Sequence, residues 1–196
     1  MFFAEPFGGL IPGARGTVLS VLLRTGAPLT GRQVHGLVGD EHSLWSVQEA
    51  LKALTRLGVV ETQTIGRAGV HTVNEGHATV AHLRALADPL AMLRATVAEL
   101  VGPDVESVIL FGSIARGESG QSSDIDLAVI AAPGWDGRTD LQDAVSTGLG
   151  NGCDVLVFTT DRFQWAARSG EPVVSDILHH GVALIGPMPR TAGGAA

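Results

Sequence analysis

The chain has no tyrosine, one cysteine and one lysine among its 196 residues. A lone cysteine, Cys153, has no partner for an internal disulfide, which fits a reducing cytoplasm. The lone lysine, Lys52, lies in the N-terminal half, so the other half has none for a Walker A loop or a kinase-type nucleotide site. The lack of tyrosine removes one class of self-modification target. No run of about 18 apolar residues offers a membrane span. The opening MFFAEPFGG lacks the basic and then long apolar regions of a secretory signal. The expectation is a cytoplasmic protein that does not engage a membrane.

What is present suits a globular chain: 45% of residues are hydrophobic and 17% charged, with length for one large domain or two small ones. Charge is unevenly spread. Residues 1–100 carry eight basic and eight acidic residues, whereas residues 101–196 carry five arginines and twelve acids. An acidic half is a poor nucleic-acid surface but a plausible place for divalent cations.

In the N-terminal half, ARGTVLSVLLRT (14–25) reads as a helix with Val18, Leu19, Leu22 and Leu23 on one stripe. Thr30 is placed to cap a short helix over 31–38, and Ser43 to cap a longer one over 44–57. In that longer helix Leu44, Val47, Leu51, Leu54 and Leu57 recur at core spacing. VVETQTIGRAGVHTVN then reads as a hairpin turning at Gly66-Arg67-Ala68-Gly69, with His71 and His77 solvated, and helix resumes from about 77 to 100 with a break at Asp88-Pro89. Three helices and a hairpin resemble the winged helix-turn-helix of small bacterial transcriptional regulators. That resemblance implies a third helix entering the major groove of an operator, with Trp45, Ser46, Gln48, Glu49 and Lys52 off the core stripe and Arg67 at the wing tip. The missing basic footprint weighs against DNA and leaves protein docking or dimerisation open.

The C-terminal half alternates strands near 105–111, 124–132 and 153–158 with helices near 138–149, 161–168 and 172–180, closing on VALIG. The expected class is therefore α+β: a winged helix domain (1–80), a connecting helical segment (81–102), a small mixed-sheet domain (103–190) and a disordered tail (191–196). Phe158, Phe163 and Trp165 are expected in the core, Cys153 as a buried small residue, and His179-His180 at a helix C-terminus. Within "LFGSIARGESGQSSDIDLAVI" an apolar strand ends at Gly112-Ser113, and a glycine- and serine-rich stretch leads to Asp124-Ile125-Asp126. Carboxylates two apart on a strand share a face, and Asp154 begins what would be the neighbouring strand. Backbone N–H groups and the hydroxyl at Gly112-Ser113 suit a phosphate, with Arg116 beside them. A metal site next to a phosphate cradle is equipment for displacement at phosphorus. An EF-hand loop fails because Ala128 and Val129 stand where its pattern needs other residues, and no G-x-G-x-x-G occurs.

The string GSIARGESGQSSDIDL resembles the minimal nucleotidyltransferase family of the polymerase-β-type superfamily, and SDILHHGVALIG resembles the way such domains close. The resemblance covers about residues 88–187. It implies that Gly112, Ser113 and Ser123 border the nucleotide triphosphate with help from Arg116. It further implies that Asp124 and Asp126 bind Mg²⁺ or Mn²⁺, and that Asp154 is the third carboxylate, assisting deprotonation of an acceptor hydroxyl. ATP or another nucleoside triphosphate would donate a nucleoside monophosphate and release pyrophosphate. Little sequence follows VALIG, so the acceptor would be held by the N-terminal half, by a second copy in a homodimer, or by its own bulk. That favours a protein or RNA acceptor, and the family's members often serve as antitoxins in toxin–antitoxin pairs. The alternatives are a DNA-binding regulator whose second domain senses nucleotide, and a neutralising partner without turnover.

Overall fold

The computed structural model describes residues 1–120 and 123–189. The chain divides into two compact units, Glu5–Pro89 and Met1–Ala4 together with Leu90–Ala196. Among the described residues no helix is long and apolar enough to cross a membrane.

The first unit runs α1 (Ala14–Thr25), β1 (Leu29–Thr30), α2 (Gly31–Val38), α3 (Leu44–Arg56), β2 (Val60–Ile65), β3 (Ala68–Val73) and α4 (Val80–Leu86). Thr30 caps α2 in a reciprocal box: its hydroxyl accepts the Gln33 N–H at 3.3 Å and the Gln33 side chain accepts the Thr30 N–H at 2.8 Å. Ser43 Oγ accepts the Ser46 N–H at 3.2 Å and starts α3. Leu19, Leu22, Val34, Val47, Leu51 and Val60 close one apolar core between helices and sheet, each buried aliphatic side chain contributing about 1.5–3 kcal/mol.

Three details depart from the sequence expectation. The hairpin turn is tighter, because Ala68 and Gly69 already pair with Ile65 and Thr64 and leave Gly66-Arg67 as the link. A third strand, β1, pairs with β3 antiparallel and completes a sheet ordered β1-β3-β2. Leu57 is 59% exposed, because α3 ends at Arg56 and Leu57 falls at the C-cap, off the buried stripe.

The second unit runs α5 (Pro89–Leu100), β4 (Val105–Phe111), α6 (Gly112–Ala115), β5 (Ile125–Ala131), α7 (Arg138–Leu149), β6 (Cys153–Phe158), α8 (Thr160–Arg168), α9 (Pro172–His180) and β7 (Val182–Ile185). The expected connector over 81–102 is not a separate segment. Val80, with Leu83 and Leu86 of α4, packs into the first core, and Leu93 and Val97 of α5 pack into the second. The break falls at Asp88-Pro89, where proline ends one helix and opens the next. The sheet is mixed, ordered β6-β5-β4-β7, with β5 and β6 parallel and the other pairs antiparallel. Strand alternation sorts the side chains: Leu127 and Val129 join α5 and α7 on one face, and Ala128 and Ile130 join α8 and α9 on the other. Phe158 and Phe163 meet edge-on at 5.5 Å. Trp165, expected in the core, is 59% exposed, because α8 turns Phe163 and Ala166 inward and leaves Trp165 off that face. The expected tail over 191–196 lies outside the described residues.

Candidate active site

The quoted stretch divides in the structure into the end of β4, a one-turn helix where a loop was expected, and the start of β5. Asp124 stands one residue ahead of β5, and Asp126 is the second residue inside it. Asp126 pairs across the antiparallel ladder with Phe111 and across the parallel ladder with Asp154. The register therefore sets Asp126 and Asp154 side by side on one face, where the end of β4 meets the starts of β5 and β6. Asp124 and Asp154 are exposed and Asp126 is half-buried.

The Asp126 carboxylate lies directly against Gly112. A methyl group on Gly112 would overlap Asp126 Oδ2 and stand 3.0 Å from Cγ, and Gly112 also holds φ at +71°. Steric room and left-handed backbone thus both require glycine there. Burial, followed by the charges of Asp154 and Asp124, pushes the Asp126 carboxyl above the ordinary carboxylate range, with Arg116 pulling the other way. Both neighbouring acids thus act on Asp126. Among the described residues no three His, Cys, Asp or Glu side chains form a ready metal cage. Mg²⁺ commonly binds through one or two carboxylates and completes its shell with water and substrate phosphates. The donor set fits that habit: hard oxygen donors of one sign, crowded enough to raise the pKa of the inner member.

Arg116 is engaged where the sequence reading left it free for phosphate. Its Nε donates to Glu118 Oε2 at 2.8 Å and its Nη1 to both oxygens of Asp176 at 3.0 and 3.2 Å. Asp176, on α9, was missed by the sequence reading, since nothing local marks a carboxylate that reaches the motif through tertiary packing. It also accepts the Gly112 N–H, and His180 Nδ1–H donates to its Oδ1 at 3.0 Å. Burial raises the Asp176 pKa, but the bonds from His180, Arg116 and Gly112 outweigh it and hold the carboxyl below the usual range. Ser113 is half-buried at the start of α6, and Ser123 Oγ accepts the Gly120 N–H at 2.9 Å. Cys153, beside Asp154, is buried, and its thiol is pushed up to about 12 by burial and the three aspartates, so it is an inert core residue at neutral pH.

The residues selected for DNA lie on the other unit. Gln48 and Lys52 line a cavity of about 490 Å³ between α3 and the hairpin, joined by Leu51, Thr55, Arg56, Thr62 and His71. Lys52 is paired with Glu49 at 2.8 Å, and Ser46 Oγ shares a hydrogen bond with Ser43 Oγ at 2.9 Å. Arg67 sits in the two-residue turn, away from this cavity. His71, expected to be solvated, is half-buried: its Nδ1 shares a hydrogen bond with Thr62 Oγ1 at 2.9 Å, and burial lowers its pKa.

Residues 97–176 match the family model described as Polymerase beta, Nucleotidyltransferase. The matched residues lie wholly within the second unit and include Gly112, Ser113, Asp124, Asp126 and Asp154. No curated protein matches the chain. Among solved structures, the chain is 23% identical to one described as a toxin-antitoxin with AMP-PNP, covering 50% of this chain and 74% of that one at a TM-score of 0.39. It is 22% identical to a chain of the structure described as tri-AMPylated Shewanella oneidensis HEPN toxin in complex with MNT antitoxin, covering 50% and 73% at a TM-score of 0.34. It is 14% identical to TrmBL2, an archaeal chromatin protein, covering 85% and 69% at a TM-score of 0.30. Likenesses at this level add nothing to the family match.

Proposed function

We propose that the second unit is a divalent-metal-dependent nucleotidyltransferase that moves AMP from ATP onto a hydroxyl of a macromolecular acceptor, releasing pyrophosphate. The observation that carries this reading is the register that sets Asp126 beside Asp154, with Gly112 cut away to seat the Asp126 carboxylate. Asp124 and Asp126 would hold Mg²⁺ or Mn²⁺, with Asp154 as the third carboxylate. Such a metal, when bound, neutralises developing charge on the transferred phosphoryl group and its leaving oxygen. The chain's own residues supply the rest. Asp154 accepts the acceptor hydroxyl's proton as that oxygen attacks the α-phosphorus and the bond to pyrophosphate breaks. The Arg116 guanidinium, now held by Glu118 and Asp176, stands beside Asp126 as the positive charge for the triphosphate. The exposure of Asp124 and Asp154 supports an acceptor brought by a large partner, a protein before an RNA, since the acidic surroundings repel a polyanion. Such a partner suits an antitoxin that modifies its toxin.

Label transfer tests this reading. The intact protein with Mg²⁺, α-labelled ATP and lysate from its own source is expected to label one macromolecule. The Asp124→Asn/Asp126→Asn variant is expected to label none, and equal labelling by that variant would refute the reading.

The cavity between α3 and the hairpin favours a second reading, a winged-helix regulator whose nucleotidyltransferase-type domain senses nucleotide. Gln48, Lys52 and Arg56 recur every fourth residue along α3 and so share one side of the helix, which is the form a duplex-reading helix requires. The neutral charge balance of residues 1–100 weighs against it. Salt-sensitive binding to one operator over random duplex would establish it.

A further inference from the structure

We propose that Asn151 and Gly152, the two residues ahead of β6, are positioning residues that seat Asp124. The proposal rests on the nucleotidyltransferase reading, in which Asp124 is a metal ligand. Three consecutive residues are held by this dipeptide. Asn151 is buried, and its Nδ2 donates to the Ser123 carbonyl at 3.1 Å. The Ile125 N–H donates to the Gly152 carbonyl at 2.8 Å, at the head of the parallel β5–β6 pairing. Between these two anchors the Asp124 carboxylate lies against the Gly152 Cα. A methyl group on Gly152 would overlap Asp124 Oδ1 and stand 3.1 Å from its Cγ.

Gly152 is not a conformational glycine. Its φ lies outside the left-handed region, so alanine meets no backbone obstacle there. What excludes a side chain is the carboxylate alone. This mirrors Gly112 beneath Asp126, with the difference that Gly112 is also held by a positive φ. Each motif aspartate thus rests on a bare Cα, one supplied from within the motif and the other from the turn ahead of β6. The obstacle at Gly152 is the far end of a side chain that can swing away. Added bulk there therefore moves the carboxylate at little cost to the fold. Gly148, in the last turn of α7, offers the contrast, since a Cβ there meets nothing within 4 Å.

The test uses the full chain with Mn²⁺ and a non-hydrolysable ATP analogue, reading free Mn²⁺ by its electron paramagnetic resonance signal. Gly152→Ala is expected to weaken Mn²⁺ binding by about tenfold or more, the scale of losses from residues that orient metal ligands. Gly148→Ala is expected to leave it unchanged. Thermal melting of Gly152→Ala, Asp124→Ala and the double variant gives an independent readout. Any loss of Tm caused by Gly152→Ala is expected to vanish once the carboxylate is gone. Wild-type Mn²⁺ affinity in Gly152→Ala, or the same Tm loss with and without Asp124, would overturn this proposal and leave the nucleotidyltransferase reading standing. No Mn²⁺ binding by the wild type would overturn both.

Discussion

The two units of this chain handle charge in opposite ways. The first disperses it in exposed pairs of opposite sign, Lys52 with Glu49 at 2.8 Å and Arg84 with Glu75 at 2.7 Å. Such pairs are screened and individually contribute little to stability. The second gathers Asp124, Asp126 and Asp154 at the end of its sheet, where burial and then Asp154 and Asp124 raise the cost of ionising Asp126. Both units bury continuous apolar cores, so core quality does not separate them. What separates them is that the second keeps like charges crowded against a half-buried carboxylate, an arrangement unfavourable to its own fold. Like charges held together by strand register are an arrangement that a bound cation would relieve.

Removing the crowded charge is the strongest way to break that contrast. On the proposed reading, Asp124→Asn with Asp126→Asn is expected to lower AMP transfer by about 10³-fold or more, since a divalent metal held there would contribute several kcal/mol to the transition state. Asp126→Asn by itself is expected to raise the Tm at neutral pH without divalent metal, because it deletes a carboxylate that burial and its neighbours disfavour. Loss of transfer together with a lower Tm would mean that the acids support the fold and that the contrast between units is false.

Core truncation sharpens the comparison from the other side. Leu127→Ala in β5 and Leu22→Ala in α1 both empty fully buried sites, and each is expected to cost about 2–5 kcal/mol. Denaturant unfolding measures both, and similar losses would confirm that the units differ in charge and not in packing.

Those buried leucines also show how much the sequence could reveal. The Val18–Leu23 stripe, the caps at Thr30 and Ser43 and the alternation of strands with helices were legible, because each depends on spacing within one element. The acids were legible for the same reason, since Asp124 and Asp126 lie two residues apart at the edge of an apolar strand. Contacts between elements were not legible. Asp176 reaches Arg116 and Gly112 from α9, sixty residues downstream of Arg116. Gly152 reads as an ordinary turn residue until the Asp124 carboxylate is seen against it. Trp165 and Leu57 were misplaced because hydrophobicity was read without knowing where each helix face or helix end falls. The split of 81–102 between two cores likewise depends on which surface each helix meets.

Acid titration separates the two kinds of carboxylate in the second unit with a smaller effect. Asp176 has a depressed pKa in the fold, so the stability it adds is present above the ordinary carboxylate value, near 3.9. It is lost as pH falls through the lowered folded value. Asp126 has a raised pKa, so its protonated form favours the fold, and that advantage is lost as pH rises through the raised value. The Tm advantage of Asp126→Asn is therefore expected to be absent in acid and to grow as pH rises past the ordinary carboxylate range. Asp176→Asn is expected to show a Tm deficit at neutral pH that closes on acidification. Melting both variants from pH 3 to pH 8 checks the signs, and parallel curves would show that neither carboxylate is perturbed as described.

The smallest expected effect tests the claim that the first unit is assembled from locally satisfied parts. Thr30 is the N-cap of α2, and its hydroxyl both accepts the Gln33 N–H at 3.3 Å and donates to Gln33 Oε1 at 2.8 Å. Thr30→Ala removes the side-chain half of that exchange and leaves the Thr30 N–H bond to Gln33 in place. The expected cost is about 1 kcal/mol. Thr30→Ser keeps the oxygen and is expected to recover most of it. Because the cap serves only its own helix, the loss should be the same with and without nucleotide and divalent metal. A cost that changes with either ligand would show that the first unit is coupled to the chemistry of the second, and the contrast in charge would then describe one machine in place of two.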